Sequence, residues 1–139
     1  MPHVMSSKKI LDISRSSDPK EGILKAIGPL EGQMRQTGSW VLLGTYIQPE
    51  RRKSGLYLAH DTLKEDEYQG VVGLILQMGP DAQEMSEAQG KIGLKVGDWV
   101  TYSIRTSYPE SIKGCPCRRI QYELIRSWIV SPDAYYGDE

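Results

Sequence analysis

The sequence predicts an all-β protein made of short strands, and three observations carry that prediction. From Trp40 onward, short apolar, β-branched and aromatic runs alternate with turns marked by Gly and Pro. A convincing helical period occurs only once, near the N-terminus. No internal repeat and no low-complexity stretch interrupts the pattern, so a single all-β sandwich or barrel accounts for the chain.

The elements follow in order. Residues 1–37 read as an N-terminal arm, rich in Ser, Lys, Gly and Met. Ile10, Leu11 and Ile13 form an apolar patch suited to an extended segment that pairs with something else. Asp18 can cap a helix, Pro19 fits its first position and Glu21 completes a capping-box pattern. Ile23, Leu24 and Ile27 then form an apolar stripe, and Gly28-Pro29 stops the helix, which spans about 19–27. A helix this short is marginal alone, so its stripe must dock, on its own barrel or on a neighbour.

The β body is expected over 38–131. Trp40–Ile47 forms a strand with apolar residues on both faces, and Gly44 inside it suggests a bend or bulge. Residues 49–69 are mostly polar and charged, apart from Ser54-Gly55-Leu56-Tyr57-Leu58. Val71–Met78 is the next strand, and 81–93 reads as a polar loop or hairpin tip. Lys95-Val96-Gly97-Asp98 turns into a strand over Trp99–Ile104. A short piece surrounds Ser111–Lys113, and further short strands are expected at Cys117–Ile120, Tyr122–Ile125 and Trp128–Val130. Residues 132–139 form a tail carrying Tyr135 and Tyr136.

Composition narrows the function classes. The 139 residues suit one domain, and 39% hydrophobic with 25% charged residues is a globular balance. Phe is absent, so three tryptophans and eight tyrosines supply the aromatic mass, each with a polar handle that suits half-buried or partner-facing positions. A net charge of −1 lacks the basic excess of a nucleic-acid binder. The clusters Arg51-Arg52-Lys53 and Arg118-Arg119 read as solvated loop or strand faces. Met1–Lys9 has no apolar core of a secretory signal, and no apolar run has the length of a membrane helix. A cytosolic setting, or a particle assembled in a cytosol, is expected.

Motifs for chemistry are missing from the sequence. There is no Gly-x-Gly-x-x-Gly after a strand, no phosphate loop, no His-Glu-x-x-His and no Gly-x-Ser-x-Gly. His60 beside Asp61, and the run Glu65-Asp66-Glu67, lack the fixed geometry of an acid–base pair or a calcium loop. Cys115-Pro116-Cys117 is not a redox Cys-x-x-Cys, and a zinc site would need further ligands from His3 and His60. The cysteines are either ordinary strand or turn residues or the source of a disulfide between chains. The expectation is a non-enzymatic protein without cofactor or metal.

Over about residues 38–131 the ordered elements resemble the GroES family of co-chaperonins. A first strand enters a charged loop holding a Gly and three apolar residues, Gly55-Leu56-Tyr57-Leu58. An acidic stretch follows, then a strand of the form Gly-x-Val, Gly70–Gly79, then Leu94-Lys95-Val96-Gly97-Asp98-Trp99-Val100, and Tyr122–Val130 at the close. The resemblance implies a small β-barrel in which Leu56, Tyr57 and Leu58 anchor a loop in a groove of a chaperonin ring. Tyr57 departs from the family's small β-branched residue, and the triplet also suits a strand packing on Val71 and Val72. Residues 1–37 and the Tyr tail are additions. The whole chain, including Asp18–Gly28, looks like the small GroES-like proteins of tailed bacteriophages. That likeness implies a structural protein of the virion head, decorating or cementing the capsid by bridging coat subunits. The alternative is a phage-encoded co-chaperonin that caps a chaperonin ring. The partners implied are the major capsid protein, neighbouring copies or a chaperonin. Gly55–Leu58, Ile10, Leu11, Ile13, Ile23, Leu24 and Ile27 would be the gripping residues.

Overall fold

A computed structural model describes residues 18–47 and 70–137. Its centre is one antiparallel sheet of β1 (Trp40–Thr45), β2 (Gly70–Met78), β3 (Trp99–Ser103), β4 (Ser107–Ile112), β5 (Cys115–Gln121) and β6 (Ser127–Ile129). The order across the sheet is β4-β5-β1-β2-β3-β6. The all-β expectation holds. Among the described residues the sheet is open, with β4 and β6 at its ends, where the sequence led us to expect a closed barrel.

Both faces of the sheet are buried, which is why the central strands read as unbroken apolar runs rather than alternating ones. Leu42, Val72, Leu74, Trp99, Ile112, Cys115 and Cys117 face one core, together with Ile23, Ile27 and Leu30. Val41, Leu43, Val71, Ile75, Val100, Tyr102 and Ile120 face the other, together with Ala82 and Tyr122. The alternation has a period of two, and a bulge between Leu42 and Leu43 adjusts β1 against β2.

Helix α1 (Pro19–Ile27) forms where the cap signals place it. The Asp18 carboxylate accepts from the Lys20 and Glu21 amides at 3.1 and 3.4 Å, and the Gly28 amide donates to the Leu24 carbonyl at 2.9 Å. Gly28 closes the helix at a φ of 75°. The stripe docks on the chain's own sheet: Ile23 and Ile27 are buried, whereas Leu24 is 47% exposed. Leu30 joins the same core, and Ala26 packs partly buried against it. Gly44 makes this docking possible. A Cβ there would stand 2.7 Å from the Ile23 Cγ2, so the glycine clears the helix, while the bulge itself sits before it, between Leu42 and Leu43.

Residues 80–93 and 122–124 depart from the sequence expectation, as do the strand start at Ser107 and the 3-10 turn at Ile104–Thr106. Residues 81–93, read as a polar loop or hairpin tip, hold α2 (Pro80–Ala88) and a 3-10 turn at Gly90–Ile92. Pro80 starts the helix and Asp81 lies in its first turn. The inward face consists of Ala82 and Ser86, so no apolar period announces it. The Ser86 hydroxyl donates to the Leu94 carbonyl at 2.5 Å, and the returning chain passes so close that a Cβ on Gly93 would stand 2.0 Å from the Ser86 carbonyl oxygen. Tyr122–Leu124, expected in a strand, is a 3-10 turn. It points the Tyr122 side chain under α2, where its hydroxyl donates to Gln89 Oε1 at 2.5 Å and accepts from the Leu94 amide at 3.1 Å. That anchoring outweighs the β propensity of the segment.

The tail folds back. Helix α3 (Asp133–Tyr136) brings the Tyr136 ring onto Tyr46, 5.7 Å between centroids at 27°, and Tyr46 meets Trp99 edge-on at 5.8 Å.

Candidate protein-binding surface

The longest excursion between neighbouring strands leaves β1 and returns to β2. Thr45 is registered with Gly73, and the Tyr46 amide still donates to the Val72 carbonyl at 3.1 Å. The described strand ends on either side of residues 48–69 therefore lie side by side at one end of the sheet. Gly55, Leu56, Tyr57 and Leu58 belong to this segment and lie outside the described residues, as do Ile10, Leu11 and Ile13, together with His3, His60 and Glu65–Glu67. Of the remaining expected gripping residues, Ile23 and Ile27 are covered by the chain's own sheet, and Leu24 alone stands open to solvent.

A surface the sequence did not announce lies on the β4–β5–β1 side. Register places Tyr108 beside Arg119 and Trp40 beside Gln121. The Trp40 and Tyr108 rings meet edge-to-face at 5.8 Å and 68°, the Arg119 guanidinium sits 5.3 Å from the Trp40 ring centroid, and Glu110 pairs with Arg119. Tyr108 is 60% exposed. Trp, Tyr and Arg are the residue types that concentrate energy in protein interfaces. These positions are far apart in the chain, and only strand register unites them. Arg118 of the same basic pair is part of the strand too, donating from Nε to the Ser107 hydroxyl at 2.9 Å.

The cysteine pair sits in the α1-facing core. Cys115 and Cys117 are both buried thiols. Burial first, then the neighbouring Cys115 and Glu110, push the Cys117 thiol up from its ordinary 9.0 to about 12. Both sulfurs are thus enclosed within the chain rather than presented to another. Among the described residues no three His, Cys, Asp or Glu side chains gather as a metal site, and no helix is long and apolar enough to cross a membrane. An open depression lined by Ser39, Asp81, Glu84, Met85 and Ala88 lies beside α2.

No protein-family model matches the chain, and no curated protein matches it in sequence.

Proposed function

We propose that this protein is a non-enzymatic protein-binding module with a GroES-like fold, working on the head of a tailed-phage virion, where it bridges coat subunits. The observation that supports the module reading is the excursion 48–69 between adjacent strands β1 and β2. Gly55-Leu56-Tyr57-Leu58 belong to this connection by sequence, and its two described ends adjoin in the sheet. A short apolar triplet presented in this way suits a partner's hydrophobic groove. The order of the flanking pieces, with the Lys95–Asp98 turn feeding Trp99–Ser103, supports the same likeness. The virion setting rests on the likeness of residues 18–28 and on an N-terminal extension that a folding lid has no evident need for. Residues 1–17 and Leu56–Leu58 are the gripping elements in this reading. Ile23 and Ile27 serve the body instead.

The test is co-sedimentation of the purified protein with particles assembled from coat protein. The expected result is particle binding that drops at least tenfold on Leu56→Ser with Leu58→Ser, and again on removal of residues 1–17. The truncation must stop there, because α1 is part of the core. Unchanged binding by both variants refutes the assignment. A stable ring that captures a chaperonin in an ATP-dependent manner through Leu56–Leu58 would replace it with the co-chaperonin reading.

A further inference from the structure

The α1-side core is roofed by two separate pieces of chain. Along that face of β1, α1 lies over Gly44 through Ile23. The tail lies over Tyr46, two residues further on and so on the same face. The two pieces are anchored very differently. Helix α1 sinks Ile23 and Ile27 into the core, at 1% and 3% exposure. Helix α3 of the tail is a single turn of four residues, too short to hold its shape without contacts. The Ala134, Tyr135, Tyr136 and Gly137 amides donate to carbonyls of Ser131, Pro132 and Asp133 at 2.8–3.0 Å, so they are satisfied within the tail. Pro132 is buried at its root, and the half-buried Tyr136 ring stacks on Tyr46, while Asp133, Ala134 and Tyr135 between them are exposed.

We infer that residues 133–137 are a strap, hinged at Pro132, that lifts off the Tyr46–Trp99 face while α1 and the sheet stay folded. Regions with few buried apolar contacts open locally, at a free energy far below that of global unfolding. Beyond the hinge the half-buried group is Tyr136, stacked on Tyr46 at 5.7 Å, and Tyr135, 44% exposed, braces it edge-on at 4.8 Å. Gly137 closes α3 at a φ of 91°, and among the described residues nothing stands within 4 Å of where its Cβ would be, so the strap's far end is uncrowded. Lifting the strap bares the Tyr46 ring. Behind it lies Trp99, which Tyr46 meets edge-on at 5.8 Å and which is 7% exposed with the strap down. The two rings form an aromatic slot that one tyrosine side chain opens and shuts. Lifting also unloads the end of β1, where the Tyr46 amide donates to the Val72 carbonyl at 3.1 Å. This inference is independent of the virion and chaperonin settings.

The test is amide hydrogen exchange of the full chain, read residue by residue by nuclear magnetic resonance. The Ala134–Gly137 amides should exchange about a hundredfold faster than the Ile27 amide of α1, at a rate that low urea leaves unchanged, the mark of local opening. Tyr136→Ala should speed exchange at the Tyr46 amide about tenfold and shift the Trp99 indole resonance, with Ile27 and the β5 amides unmoved. Tyr136→Phe keeps the stacked ring and should retain the natural pattern. Tail amides that exchange as slowly as Ile27, and only as urea unfolds the chain, overturn the inference. So does Tyr136→Ala if it leaves Tyr46 and Trp99 unmoved, because the ring is then not seated in the slot. Equal acceleration throughout α1 and the sheet overturns it too, because the tail is then part of the fixed core. Tyr136→Phe behaving like Tyr136→Ala would refute seating by the stacked ring.

Discussion

The contact between Ile23 and Gly44 offers the sharpest test of how this fold is held. Ile23 is 1% exposed, and its Cγ2 occupies the space that any side chain at position 44 would need. Ile23→Ala removes three carbons, about 2.4 kcal/mol at ~0.8 kcal/mol each, and the cavity left beneath α1 raises the cost to about 3–4 kcal/mol. Leu24→Ala, one residue along but 47% exposed, should cost less than about 1 kcal/mol. Gly44→Ala in the natural background should cost about 1–3 kcal/mol. The new Cβ meets a stiff β-branched side chain at 2.7 Å, with the Leu76 Cδ1 at 3.3 Å behind it. With Ile23→Ala already present that clash is gone. Gly44→Ala should then be neutral or even gain about 0.5–1 kcal/mol from a stiffer unfolded chain. The four-variant cycle in urea, followed by tryptophan fluorescence, should yield a coupling of about 1–3 kcal/mol. Equal costs for Ile23→Ala and Leu24→Ala, or strict additivity of Ile23→Ala with Gly44→Ala, would refute the docking of α1 on β1.

Other expectations follow from single contacts. Cys117 keeps its proton in the folded state up to about pH 12, while an unfolded thiol ionises near 9.0. Between those values the unfolded chain holds fewer protons, so stability is intact below pH 9 and falls as pH rises toward 12. Cys117→Ala should flatten that alkaline loss in urea titrations, and native Cys117 should resist thiol reagents at pH 8. Gly93→Ala drives a Cβ into the Ser86 carbonyl and should destabilise the chain by several kcal/mol, read as a large drop in melting temperature. Tyr122→Phe strips partners from Gln89 and the Leu94 amide and should cost about 1–3 kcal/mol, with faster hydrogen exchange in α2.

The sequence alone determined α1 and the central strands. Asp18, Pro19 and Gly28 act on their own neighbours, so the helix ends are legible without any fold. The β1, β2 and β3 runs are long, apolar and bounded by Gly or Pro, and each forms close to where it was read. The turn at Lys95–Asp98 is equally local, closed by the Asp98 carboxylate accepting from the Lys95 amide at 2.9 Å. Tertiary structure decided the rest, because the information lay in partners distant along the chain. Helix α2 buries Ala82 and Ser86, residues too small and polar to write an apolar period; Ala82 packs into the sheet core and Ser86 meets the close passage of Gly93. Tyr122 turns out of a strand for hydrogen bonds to residues 28 and 33 positions away. Leu24 and Ile27 look alike in sequence, yet the sheet accepts only the latter. The Trp40–Tyr108–Arg119 patch exists only through strand order. A linear sequence writes the propensity of each strand plainly, but which strands end up at the edges depends on the pairing of the whole sheet.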